Sequence, residues 1–146
     1  MPLDVVKSHA ADWVSLAAWR GALTAHATIA VVPRPARYTR RLGTAWTCEQ
    51  RAVVYATGDL ITDLPTVLHE LAHLAAPTRV HHDRPWRVLY LDAVAEATRT
   101  PRELLDADVA LDDLRAQAEA AIRAWLDATG QLTVLRALGI LQGDRR

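Results

Sequence analysis

The 146-residue sequence contains one cysteine, one methionine, no phenylalanine and, apart from Lys7, no lysine. The lone Cys48 excludes an intrachain disulfide framework and a zinc ribbon built on thiolates, and a single thiol fits a reducing compartment. No charge of one sign dominates. Seventeen basic residues stand against seventeen acidic ones, so no global field draws the protein to nucleic acid or to an anionic membrane. Nowhere do about 18 apolar residues run together, and no charged leader precedes an apolar block at Met1–Lys7. A soluble, cytoplasmic protein with no membrane partner is expected. What is present is globular in composition, 51% hydrophobic and 23% charged, and the length suits one domain over residues 1–146.

Along the chain, Trp13, Leu16, Ala17, Trp19 and Leu23 follow helical spacing and predict a first helix from Ser8, as N-cap, to about Thr24. Ala27–Val32 is short and β-branched and ends at Pro33-Arg34-Pro35, which reads as a strand. Thr44–Cys48 and Ala52–Tyr55, joined by Glu49-Gln50-Arg51 and bounded by Gly43 and Gly58, predict a hairpin in a small antiparallel sheet. A second helix is expected over Leu64–Ala76, with Asp63 as N-cap, Pro65 in the first turn and Pro77 as the stop. A third is expected from Asp83-Arg84-Pro85 to Thr98, with Asp83 as its cap. Thr100-Pro101 then opens a long helical region reaching Gly130, and a short last helix covers Leu132–Leu141. The fold class is α+β.

One motif carries chemistry: His69-Glu70-Leu71-Ala72-His73. On a helix, positions four apart share a face, so both imidazoles can aim at one cation. Glu70 then projects beside the pair, placed to take a proton from water without joining the coordination sphere. Six His and five Glu in 146 positions would show this pattern by chance in roughly one shuffled chain in a hundred. Zinc suits nitrogen ligands, and a catalytic zinc takes three protein ligands with a fourth position for water. His82 is the expected third ligand, brought back by a turn at Pro77-Thr78-Arg79, with His81, Asp92 and Glu96 as alternatives.

Thr66–His73 followed by His82-Asp83-Arg84-Pro85-Trp86-Arg87 resembles the SprT-like metallopeptidase core, whose pattern is HELAH and then His-Gly-x-x-Trp/Phe at the head of the next helix. It is similar, more closely still, to a small actinobacterial and phage family of metallohydrolases with HExxH and a third His after eight intervening residues. The resemblance covers about Leu64 to Asp92. It implies a zincin-like fold, a Zn2+ cofactor, His69, His73 and His82 as metal ligands, Glu70 as general base, and Trp86 as the aromatic packing the following helix. Asp83 stands where the family has Gly, no cysteines exist for the C-terminal zinc ribbon of many SprT relatives, and the extended metzincin pattern is absent after His73.

The expected function is a zinc metallohydrolase acting on peptide or protein substrates, with the strand Ala52–Tyr55 as an edge that aligns an extended peptide. Two other readings stay open: a noncatalytic module in which metal fixes the helices, and a SprT-type DNA-associated protease. Tyr55, Tyr90, Arg84 and Arg87 stand as oxyanion donors against simple packing or solvated charge. The run Arg34, Arg37, Arg40, Arg41 reads as a solvated loop rather than a contact for nucleic acid or an acidic substrate. Cys48 and the five tryptophans read as core residues, and His9 and His26 as ordinary surface or capping positions.

Overall fold

In a computed structural model the chain is described over residues 2–38, 40–76 and 80–130. The expected turn at Pro77–Arg79 and the helix at Leu132–Leu141 lie outside the described residues. The described residues form four helices and a three-stranded sheet: α1 (Pro2–Trp13), β1 (Thr28–Pro33), β2 (Gly43–Trp46), β3 (Arg51–Ala56), α2 (Leu60–Ala75), α3 (Arg84–Thr98) and α4 (Leu111–Ala128). The α+β class holds. Among the described residues no helix is long and apolar enough to cross a membrane.

The first helix lies earlier than its periodicity predicts, and the reason is tertiary. Ser8 falls mid-helix. After Trp13 the chain turns back, the buried Trp19 indole donates to the Trp13 carbonyl at 2.7 Å, and Ala17–Trp19 forms a 3-10 turn. The Glu96 carboxylate from α3 accepts from the Ala17 and Ala18 amides at 2.7 and 2.8 Å, capping that turn. These partners satisfy the backbone outside a continuous helix.

The sheet is mixed rather than antiparallel, with strand order β1-β3-β2. The hairpin β2–β3 is antiparallel, Gly43 opposite Val54 and Trp46 opposite Arg51. β1 runs parallel to β3, Thr28 opposite Arg51 and Val31 opposite Val54. Strand periodicity reveals which residues face the core but not the direction of the neighbour. Cys48 is exposed, because the chain leaves β2 into a 3-10 turn at Thr47–Glu49. Trp46 is likewise exposed, under the Arg51 guanidinium at 4.1 Å, whereas Trp13, Trp19 and Trp86 are buried and Trp125 is partly so.

α2 is the centre of the molecule. It is buried nearly all round, on β3 and β2 on one side and on α1, α3 and α4 on the others. It starts at Leu60, one turn before the expected Leu64, with Asp59 as N-cap accepting from the Ile61 amide. Asp63 has a different task. Its buried carboxylate accepts from the Thr57 amide and hydroxyl and from the Gly58 amide at 2.8–3.1 Å, fastening the β3–α2 turn onto the helix. Asp83 caps α3 as expected, accepting from the Trp86 amide.

Residues 100–110 are not helical beyond a turn at Arg102–Leu104. Arginines hold them irregular: Arg102 donates to Asp92 and to the Leu105 carbonyl, and Arg87 of α3 donates to the carbonyls of Ala107 and Val109. Asp63→Asn keeps the shape but turns an amide N–H₂ toward backbone donors. It is expected to cost about 1–3 kcal/mol, read as a lower denaturant midpoint at unchanged slope.

Candidate metal centre

Helical pitch alone brings His69 and His73 onto one face of α2, with their Nε2 atoms 3.1 Å apart. His82, from the segment before α3, completes the group. Its Nε2 lies 3.2 Å from that of His73 and 3.1 Å from that of His69. Reaching back over α2 requires a left-handed backbone at His82, φ +59°, a conformation a non-glycine residue adopts only when its surroundings enforce it. Two neighbours do so. The Arg87 Nε donates to the His82 carbonyl at 2.7 Å while the same guanidinium grips the segment before α4, and Asp83 starts α3 immediately afterwards. Asp83 itself has φ −71°, so the tight turn falls on residue 82 and no glycine is needed at 83.

Beneath the three imidazoles lies Trp86, fully buried, its ring centroid 4.6–5.1 Å from each of them and stacked at 5.0 Å on Tyr90. Burial, then the other histidines, hold His69 well below its ordinary pKa and bring His73 down to about 4. Three neutral rings aiming Nε2 at one point cannot satisfy one another, since one proton bridges one pair and leaves the third lone pair facing it. A cation satisfies all three. A tetrahedral zinc with bonds of about 2.0–2.1 Å keeps its nitrogens ~3.3 Å apart, close to the observed spacing, so these residues fit such an ion. Among the described residues His69, His73 and His82 are the one group of His, Cys, Asp or Glu so placed.

Glu70 sits beside the triad, its Oε1 3.8 Å from the His69 Nε2. It is 5% exposed, and burial pushes its pKa up to about 8. A feature missed in the sequence makes room for it. A Cβ at Gly43 would lie 2.8 Å from the Glu70 Cγ and 3.0 Å from the Val53 carbonyl, so residue 43 must be glycine for the carboxylate to lie where it does. The pairing of Gly43 with an acid 27 positions on leaves no local signature.

The other candidate ligands are engaged elsewhere. His81 is exposed, its ring centroid 5.8 Å from that of His73 and outside the converging group. Asp92 pairs with Arg102 at 2.7 Å, and Glu96 caps the turn after α1. Of the oxyanion candidates, Arg84 pairs with Asp108, Arg87 braces His82, and Tyr55 packs on Tyr38. Tyr90 alone of the four lines a cleft at the triad. His9 stacks on Trp13, away from the site.

Two clefts open onto the triad. One, of about 470 Å³, runs along β2 past Gly43, Thr44 and Ala45; the other, of about 240 Å³, is bounded by the loop before β2 and by α4. The strand Ala52–Tyr55 cannot align a peptide, because β3 is the central strand and both its edges are paired. The strand edge at the site belongs to β2. No family model matches the chain, and neither a curated protein nor a solved structure matches it.

Two outcomes are expected. Because His73 titrates lower folded than unfolded, metal-free protein holds this stabilisation above about pH 6.5 and loses it as the pH falls through about 4; thermal melts across that window should show the fall. Arg87→Ala frees the His82 carbonyl and should weaken metal binding by about tenfold or more, read by competition with a chromogenic chelator.

Proposed function

We propose that this protein is a zinc-dependent hydrolase of peptide bonds, with a zincin-like core akin to that of the SprT-like metallopeptidases. The observation that carries this reading is the convergence of three Nε2 atoms to 3.1–3.2 Å with a buried carboxylate 3.8 Å from one of them. His69, His73 and His82 would hold the ion, and an all-nitrogen set without redox demands favours zinc. When bound, zinc supplies Lewis-acid polarisation of a carbonyl and a water acidic enough to ionise near neutral pH.

Glu70 moves the proton. Its carboxylate takes one from the attacking water and returns it to the leaving amine; burial raises its pKa in the metal-free chain, and a divalent ion held by the histidines would favour the ionised base. Gly43 keeps that carboxylate beside the imidazoles, and Trp86 excludes water from beneath them. The edge of β2 lines the larger cleft with backbone that no described strand pairs, which suits an extended peptide added by backbone hydrogen bonds. That edge favours amide hydrolysis over other hydrolyses.

A purely structural metal would call for a fourth protein ligand. The engagement of Asp92 and Glu96 elsewhere speaks against one among the described residues. A DNA-associated protease draws support only from the arginine run before β2, of which Arg37 and Arg41 stack on Tyr38.

Metal analysis and peptide cleavage test this together. His82→Ala should lose bound zinc, Glu96→Ala should keep it, and Glu70→Gln should keep it while turnover drops about 10²–10⁴-fold. Gly43→Ala should also retain the metal and lose activity at least about tenfold through a displaced Glu70. Full zinc in His82→Ala, or undiminished cleavage by Glu70→Gln, overturns the assignment.

A further inference from the structure

The described residues that line the two clefts at the triad differ in charge. Among them no arginine or lysine lines the larger one, along β2. The smaller one is walled by Arg40 and Arg41, from the loop between β1 and β2, and by Arg115, on the second turn of α4, with Pro65 and Leu111 as apolar lining. Glu70 is the single carboxyl group among the described residues that line it.

The three arginines are not consumed by the fold. Among the described residues the ion pairs of arginine join Arg51 to Glu49, Arg84 to Asp108 and Arg102 to Asp92; none involves Arg40, Arg41 or Arg115. Arg41 lies over the Tyr38 ring at 5.5 Å, which leaves its donors available. Glu119, one turn along α4, feels the charge of Arg115 but does not pair with it, and Asp59 acts on Glu119 in turn. Arg115 lines the same cleft as His69, His82 and Tyr90. Guanidinium groups that take part in no ion pair of the described residues and gather around a concave surface form a seat for a planar anion.

Size and shape narrow the anion. About 240 Å³ lies below the roughly 300–1,000 Å³ of ordinary small-molecule sites, and holds a single residue of a longer chain. A nucleic-acid strand instead needs a basic track that follows many phosphates, and the chain's net charge is zero.

We propose that the arginine-walled cleft seats a carboxylate of the substrate next to the bond that is cut, while the rest of the peptide lies along β2. This rests on the peptidase reading above and adds its substrate class. The carboxylate has two sources, the free C-terminus of the peptide or an acidic side chain within it. The first makes the protein a carboxypeptidase and the second an endopeptidase selective for Asp or Glu.

Four matched peptides separate these sources with the full zinc-loaded chain: a free acid without acidic side chains, its C-terminal amide, the amide with one internal Glu, and the same with Gln. The expected result is cleavage of one carboxylate-bearing peptide with kcat/KM about tenfold above its neutral partner, the ratio falling toward one in Arg115→Gln and in Arg40→Gln with Arg41→Gln. Binding is read separately on metal-free protein by NMR titration with an N-acetyl dipeptide as free acid and as amide. The acid should bind about tenfold more tightly, and Arg115→Gln should erase the difference.

Equal cleavage of charged and neutral peptides, a preference that survives Arg115→Gln, or a cleft that takes a single-stranded oligonucleotide and no carboxylate overturns the proposal. Charge-blind cleavage that Glu70→Gln abolishes would sink this inference alone. Failure to cut any peptide would sink the peptidase reading, and the NMR titration would still decide whether the seat takes a carboxylate.

Discussion

Three ring nitrogens forced to within 3.1–3.2 Å of one another are the constraint on which the rest of this structure depends. Lone pairs that converge in a half-buried setting repel unless a cation or a shared proton lies between them, and burial disfavours the proton. The scaffold must therefore hold the rings against their own repulsion. α2 does this from the middle of the molecule, wedged between the sheet and the other helices, so that the backbone carrying His69 and His73 cannot shift without disturbing the core. Trp86 closes the space behind all three rings.

The third histidine is held differently. His82 belongs to no helix or strand and adopts a left-handed backbone that a β-carbon disfavours. Its position comes from the polar groups around it: Asp83 fixes where α3 begins, and Arg87, one turn into that helix, ties the His82 carbonyl to the segment ahead of α4. The same contacts explain why residues 100–110 stay irregular. An arginine that donates to three carbonyls from two segments stabilises the ligand turn and prevents helix in the segment it grips.

The site is asymmetric about the triad. On one side β2 offers backbone and small side chains, Gly43 among them because a larger residue would displace Glu70. On the other side arginines from a loop and from α4 face the same centre. Under the proposed reading, a peptide laid across the histidines would meet hydrogen-bonding backbone in one direction and positive charge in the other, and such asymmetry would orient it before any chemistry began.

How much of this was legible depended on whether the cause was local. The HExxH pair is a consequence of helical pitch, and the Asp83 cap, the bounds of α3 and the strand segments follow from side chains and their immediate neighbours. Fragments whose partners are distant look different in the sequence and in the fold. Trp13 to Leu23 has helical spacing, yet Trp19 and Glu96 draw the chain into a turn; Asp63 looks like a cap and instead fastens the end of β3; Cys48 looks like a core strand residue and stands exposed. By itself the sequence determined an α+β chain with two imidazoles a turn apart beside an acid, because those relations span at most a few residues. Only the tertiary structure decided that His82 rather than His81, Asp92 or Glu96 joins them, that β2 rather than β3 is the edge at the site, and that three arginines share one cleft. Each of those facts depends on which distant groups compete for the same partner, a balance no local pattern records.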